Sequence, residues 1–509
     1  MANQRPAADG AAPASPLAPW LFGGSVLVLA GVLFFGIATR VSLANDIDIV
    51  ARAGISRVLR GGIPDLVDTF LLILVMFAAY AGALRALWLG FRHAFAAAAA
   101  GIVLCSLAML PAMPLTSPDA VHLAADVRTF WLHGKWPADF SGTPDKVDDP
   151  VANEVRVFRS NPSGYGPLAY VIGGAALPFV GDSFRANLVG QKVIAGIFLL
   201  GTALAAGIIA RRFGGKAAFT AGFIGLNPMM LWQYPGDGHN DSLMAFFGVV
   251  ALGLATLPGW RARAGAALAG LSSALCKYAL LIAAPLLAAY WFPRWRLAVA
   301  GAAAGLGLVL LLAYAFGFGP VRNGTLGPAM AVAPSNPWGV IAGLFSIEGT
   351  GQNRMVFFGY VLALGILGAV AAHHPLSTGR DLARAVALVM GLFLFAAFPG
   401  FLPWYLIWFL PFAAIGGDRR QLWWAAAWSA AAFLPVLALN WQLSINRAWN
   451  IPEPVRWSVV LAWSLTLLAV WLGPRLTPGA PGVRAGAGPK PRSARRRRDL
   501  AAREGLRRA

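Results

Sequence analysis

The chain has 509 residues, of which 58% are apolar and 12% charged, with a mean hydropathy of +0.64. That charged share is about half the share of soluble domains, and no soluble core could hide so much apolar surface. Soluble enzymes, nucleic-acid binders and secreted disulfide scaffolds are therefore excluded, and the net charge of +20 has to be read by where it lies.

Residues 1–18 are polar and rich in Pro and Ala, and read as a disordered cytoplasmic N-terminus. The apolar run that follows is too long for a cleaved signal peptide and reads as a retained first span. Uncharged apolar runs near twenty residues are membrane-spanning helices. On this pattern spans are expected at 19–38, 67–90, 94–114, 186–210, 216–234, 241–257, 264–277, 279–292, 297–318, 355–372, 384–399, 403–416, 421–439 and 457–473. Several are too short to cross ~30 Å of hydrocarbon. The pair 264–277 and 279–292 predicts a broken hairpin buried among other helices. The fold class is thus an all-α polytopic membrane protein of about 12–14 transmembrane helices, with the membrane domain over 19–473. From residue 473 onward eleven Lys/Arg face two acids, so residues 474–509 read as a disordered basic cytoplasmic tail that fixes topology or touches anionic lipid. Cys105 and Cys276 lie in apolar runs and suggest neither a disulfide nor a metal site.

Short basic turns at Arg211–Lys216, Arg261/Arg263, Arg294/Arg296, Arg380/Arg384 and Arg419/Arg420 fall on one side by alternation, which the Lys/Arg rule makes the cytoplasm. Both termini are then inside. The long segments 39–66, 115–185, 319–354 and 440–456 face outward, and with Asp68, Asp237 and Asp241 the outer side carries sixteen of the twenty-one acids, so acid–base chemistry is expected there. The apolar segment 166–180 has to be an interfacial or re-entrant helix on the outer face, since counting it as a span would invert everything after it. No internal repeat is evident.

The outer loop 115–185 is the densest polar stretch. Pro118 and Gly134 bracket a helix on which Asp119, His122, Asp126, Thr129 and His133 share one face. Ala120, Val121, Ala124, Val127 and Trp131 take the other face, with Arg128 there expected to snorkel. The helix reads as amphipathic and interfacial, and half-shielding from water would raise a carboxylate pKa, as suits a general base. Its alternative is a solvated surface face. Further along, Asn161–Leu168 holds two Gly and two Pro, an irregular turn ahead of the interfacial helix. Gly236–Met244 is a polar outer turn in which Asp241 is either the N-cap of the next span or, with His239 and Asn240, a holder of sugar hydroxyls. Lys277 in the hairpin is costly among apolar residues; it either pairs with a lipid phosphate or snorkels. Lys192, nearer a span end, reads as snorkelling. Trp404 and Tyr405 are belt aromatics or a stacking surface for a sugar or prenyl chain. Arg354 and Arg447 are candidate second phosphate contacts.

Taken in order, Asp119, the Gly134/Pro137 element, Tyr165-Gly166-Pro167-Leu168, Asn227-Pro228, His239–Met244, the Lys277 hairpin and Pro403-Trp404-Tyr405 resemble the GT-C class of membrane glycosyltransferases. The resemblance, over about 94–440, is to the bacterial polyprenyl-phosphate-mannose-dependent mannosyltransferases. It implies a GT-C-like bundle whose large first outer loop carries amphipathic helices. It also implies a hexosyltransferase, with mannose the expected sugar. The donor would be a polyprenyl-phosphate sugar and the acceptor a glycan or glycolipid on the extracytoplasmic face. The reaction would invert the anomeric centre, with Asp119 as base and Asp126 as its rival. Donor and acceptor contacts would come from His122, Tyr165, His239, Asn240, Asp241, Lys277, Arg354, Trp404 and Tyr405. Membrane lipids are the other expected partners and nucleic acid is not; no cofactor is expected, with a divalent metal left open. The alternative function is a flippase or transporter of lipid-linked or small polar substrates, which should carry polar groups deep in several spans and two related halves.

Overall fold

A computed structural model describes residues 15–39, 63–114, 116–117, 119–137, 147–155, 165–315, 336–348, 350–438 and 453–476. Residues 1–14, Arg447 and the tail beyond 476 lie outside the described residues. All the elements described are helical, which is how a chain in lipid satisfies its backbone without water. Among the described residues seven helices are long and apolar enough to cross a membrane: Ala18–Ala38, Val67–Leu89, Phe184–Arg212, Pro293–Ala315, Gly351–His373, Arg419–Ala438 and Glu453–Arg475. The other expected spans are shorter or broken. Ala94–Met109 and Asp241–Ala255 are single short helices, whereas the hairpin is Trp260–Cys276, a 3-10 stretch Tyr278–Ala283 and Ala284–Trp291.

Each break has a local cause. The expected span 216–234 stops after Ala217–Gly225, because Pro228 has no N–H to continue the ladder and Asn227 caps the next turn, its side chain accepting from the Met229 N–H at 3.0 Å. A π-turn, Trp232–Gly236, with Pro235 inside it, then leads into the 236–241 turn. The turn is buried within the protein: Gln233, Asp237, His239, Asn240, Asp241 and Ser242 are all shielded from solvent. The apolar segment 166–180 is a short, twice-broken element, Pro167–Gly173, Gly174–Ala176 and Leu177–Val180. Fourteen residues reach only about 21 Å as a helix, too short to cross.

The basic turns gather at one end of the bundle and close helix C-termini there. Lys216 donates to the Trp88 carbonyl and lies 4.5 Å over the Trp88 ring. Arg212 reaches the Gly253 carbonyl, and the Trp291 indole the Ala255 carbonyl. Arg296 bonds the carbonyls of Ala371, Ala372 and His374 at 3.0, 3.1 and 2.8 Å, and Arg384 bonds that of Gly416 at 2.9 Å. A cation there meets the negative end of the helix dipole. Lys192 works the same way at the opposite end. It does not snorkel, since it is fully buried and its ammonium closes the C-terminus of Ala94–Met109 through the Met109 and Leu110 carbonyls at 3.0 and 2.7 Å and the Ala112 carbonyl.

Candidate active site

The loop helix Asp119–His133 starts where the Ala94–Met109 helix hands over to the outer loop. Its apolar face, Ala120, Val121, Ala124 and Val127, is buried as the pattern requires. Arg128 departs from expectation, for it is 3% exposed and does not snorkel. Its guanidinium grips Asp149 at 2.9 Å, Asp182 at 2.6 Å and the Gly181 carbonyl at 2.7 Å. His133 also reaches Asp149, at 3.2 Å. Burial opposes ionisation of Asp149. The Ala152 and Val151 N–H groups, His133 and Arg128 outweigh it and hold the carboxyl below its usual range. The far end of the loop helix is thus structural, and the polar face divides between two tasks.

The near end faces the buried 236–241 turn. Asp119 is 30% exposed and its carboxylate lies 3.4 Å from His239 Nδ1, with Ser117 Oγ donating to its other oxygen at 2.5 Å. Half-shielding was expected to raise the Asp119 pKa. Burial does push that way, but the hydrogen bond and charge of His239, the Ser117 hydroxyl and the charge of Lys277 together hold it well below the usual range. The carboxylate is therefore ionised and hydrogen-bonded, not a solvated surface group. His239 is stacked on Trp404, ring centroids 4.0 Å apart and 17° from parallel. Trp404 is fixed in turn, its carbonyl accepting from the Tyr234 hydroxyl at 2.6 Å.

Asp241 is not the N-cap. Asn240 holds that position, and the Asp241 carboxylate turns instead to Lys277 Nζ at 3.0 and 3.2 Å and to the Trp408 indole N–H at 2.7 Å. Lys277 interrupts the hairpin in extended backbone and is 13% exposed by side chain. Tyr405, Tyr165 and Trp408 surround its ammonium at 4.7, 5.6 and 5.6 Å from their ring centres, a cation–π cage. Tyr165 also stands within the field of Asp119. Its hydroxyl pKa is raised by burial and then by the charges of Asp119 and Asp241, so it stays a donor. The turn bearing Tyr165 is pinned to the hairpin tip, since the Gly166 N–H donates to the Cys276 carbonyl at 3.0 Å. A Cβ at Gly166 would lie 2.0 Å from the Leu275 carbonyl oxygen, which is why glycine stands there.

Of the residues singled out in sequence, Asp119, Tyr165, His239, Asp241, Lys277, Trp404 and Tyr405 meet in one constellation. Asn240 is beside it, buried, its amide nitrogen and oxygen without a hydrogen-bond partner among the described residues. His122 is half-buried one turn along the loop helix, and Asp126 half-buried about 10 Å along it. Arg354 lies exposed near the start of Thr350–His373 and is not among the side chains bonded to this group. Trp408, part of the same aromatic stretch as Tyr405 but not among the expected contacts, joins the group: it follows Tyr405 by three residues, one turn of the 3-10 helix Pro403–Trp408, and stacks on it at 4.2 Å. Beside Lys277 the two arms of the hairpin and Asp241–Ala255 line a partly open apolar cavity of about 320 Å³, with Gly248, Ala267, Gly270, Ala274, Leu281 and Ala284 among its walls. Among the described residues no three His, Cys, Asp or Glu side chains form a metal-ligand group.

Comparison with known proteins bears on this arrangement. No solved structure matches the chain. A curated relative, alpha-(1->6)-mannopyranosyltransferase A of Corynebacterium glutamicum, is 33% identical over 118 residues. That alignment covers 23% of this chain and 24% of the relative, so the chain matches about a quarter of that relative's length. The model of the family described as alpha-(1->6)-mannopyranosyltransferase, N-terminal domain, matches residues 21–293, a stretch that holds the loop helix, the 236–241 turn and the Lys277 hairpin. As that is more than half of the 509 residues, this all-α polytopic membrane protein belongs to the alpha-(1->6)-mannopyranosyltransferase family.

Proposed function

We propose that the protein transfers mannose from a polyprenyl-phosphate donor to a hydroxyl of a glycan or glycolipid acceptor at the extracytoplasmic face of a bacterial plasma membrane. One observation carries the reading: a carboxylate, Asp119, held by His239 and Ser117, and an ammonium, Lys277, caged by Tyr165, Tyr405 and Trp408, meet beside an apolar cavity whose lining includes Ala274 and Leu280, on either side of Lys277. A lipid-borne sugar phosphate asks for those three things together. The cation takes the phosphate charge, the cavity takes hydrocarbon next to the head group, and the carboxylate takes a proton. The end of the bundle supports the assignment of side, for this group lies opposite the basic turns.

In the reaction the acceptor oxygen attacks the anomeric carbon on the face opposite the phosphate. The C1–O bond to phosphate breaks, the acceptor proton passes to an Asp119 oxygen, and the lipid phosphate leaves with its charge against Lys277. A weak, permanently ionised base suits a displacement led by departure of the phosphate, in which positive charge grows at C1 and the hydroxyl proton is lost late. Trp404, stacked on His239, offers a ring face to the sugar, and the unengaged amide of Asn240 suits its hydroxyls. If the linkage is α-(1→6), as the relative's name states for that protein, inversion requires a β-linked donor and a primary hydroxyl on the acceptor.

The test uses sealed, oriented membrane vesicles carrying labelled polyprenyl-phosphate-mannose and a membrane-impermeant acceptor. Label should pass to acceptor supplied on the extracytoplasmic side. Transfer only to acceptor on the cytoplasmic side would overturn the assignment of face, and no transfer to either would overturn the donor.

A further inference from the structure

Residues 109–117 join the Ala94–Met109 helix to the loop helix, so their path decides where Asp119 stands. Two buried charges hold this stretch from opposite sides. Lys192, from Phe184–Arg212, is 0% exposed and gives its three protons to the carbonyls of Met109, Leu110 and Ala112. Asp237 is as deeply buried, and its carboxylate accepts from the Thr116 N–H at 3.1 Å and from the Thr116 hydroxyl. The next residue, Gly238, has φ +77, and a Cβ there would stand 2.8 Å from Ala120 Cβ and 3.2 Å from Lys192 Cγ. The backbone of the 236–241 turn is thus pressed between the first turn of the loop helix and the lysine.

Closing a helix C-terminus does not call for a buried lysine, since a glycine N–H or water suffices. Burying an ammonium and a carboxylate is costly, and here the three protons of Lys192 go to backbone carbonyls of this stretch while Asp237 takes the Thr116 N–H and hydroxyl. Both charges thus grip the same short connection. The turn that carries Asp237 also carries His239, which holds Asp119, and Asp241, which holds Lys277. We infer that Lys192 and Asp237 are positioning residues, which together set the gap between the Asp119 carboxylate and the Lys277 ammonium that a sugar phosphate is to fill. This rests on the functional reading above.

Lys192→Met keeps length and bulk and removes the three donors; Lys192→Arg restores charge and donors. The full-length protein in detergent is assayed for mannose transfer, with donor binding followed by tryptophan fluorescence to count competent molecules. Misplacement by about 1 Å costs on the order of 10²-fold in rate. Lys192→Met should therefore lose 10- to 100-fold in kcat per binding-competent molecule, with donor KM changed less than about threefold, and Lys192→Arg should recover most of the loss. A merely structural lysine would lower the competent fraction and leave kcat per competent molecule within about twofold, which would overturn the inference. A second readout does not need the reaction. Spin labels on cysteines at Leu132 and Tyr278, both exposed while Cys105 and Cys276 are buried, report the spacing of loop helix and hairpin. The wild type should give one narrow distance and Lys192→Met a shifted or broadened one. If the wild type transfers no mannose, the functional reading fails by itself, and an unchanged distance in Lys192→Met then sinks the positioning role.

Discussion

The two ends of the bundle use charge in opposite ways. At the basic end Lys216, Arg296 and Arg384 reach from turns to backbone carbonyls, each closing a helix that ends beside it. Their partners are neutral, and Lys216 stays exposed. At the other end Lys192 caps in that way, but around the candidate site side chain meets side chain: Asp119 with His239, Asp241 with Lys277 and Trp408, and a ring of Tyr165, Tyr405 and Trp408 about the ammonium. Caps need a cation at a helix end, which almost any long basic residue supplies. The opposite end needs particular atoms at particular separations, and each held group is left poised toward a ligand. The difference separates charges that hold the fold from charges that hold a reaction.

Four tests sharpen that separation, and the largest effect should come at Asp119. Asp119→Asn keeps size and hydrogen bonding but removes proton affinity, so kcat should fall by roughly 10²–10⁴-fold with donor affinity retained. Asp126→Asn, two turns along, should keep most of its turnover. The reverse pattern in single-turnover assays would move the base to Asp126.

Next is Lys277. Losing a charge-assisted bond to phosphate is worth about 1.5–3 kcal/mol, so Lys277→Ala should raise the donor KM roughly 10- to 150-fold. Lys277→Arg should remain partly active. Titration of donor against each variant decides this, and an unaltered KM in the alanine variant would reduce the cage to a packing feature.

His239 should show in the pH profile. Asp119 is depressed below the usual carboxylate range, with His239 the first of the groups that lower it. A base is active when deprotonated, so the wild-type kcat/KM should be flat on the acid side down to about pH 5. His239→Gln removes the main depressing group and leaves burial to raise the pKa. An acid limb should then move up into the measured range, and a profile as flat as the wild type's would show that His239 does not tune the base.

The smallest effect should be at the basic end. Arg296→Ala loses bonds to three carbonyls of a helix terminus, worth about 0.3–1 kcal/mol in exposed settings. Its Tm in detergent should drop by a few degrees with kcat and KM unchanged. A kinetic defect there would contradict the division between the two ends.

Much of the fold is legible from hydropathy, because lipid forces long apolar runs into helices. The hairpin break at Lys277 and the irregular 166–180 element follow from residues that interrupt such runs. The site is legible only in parts. Asp119, His239, Asp241 and Lys277 stand out as polar groups where polarity is costly, yet their partners cannot be read. Asp241 resembles an N-cap in every local respect, and Arg128 and Lys192 resemble snorkelling cations. Their real partners lie far along the chain: Lys277 is 36 residues from Asp241, Trp408 is 167, and the Met109 carbonyl is 83 from Lys192.

By itself, then, the sequence determined that this is a helical membrane protein, with a hairpin interrupted at Lys277 and an irregular element at 166–180. Those properties depend on the transfer of single side chains and backbone groups from water to lipid, which local composition settles. Only the tertiary structure decided that the 236–241 turn is buried, that Asp119 is held ionised, and that three aromatics close around Lys277. Each of these depends on the distance between groups far apart in the chain. Charge interactions change steeply with separation and burial, and packing alone sets both.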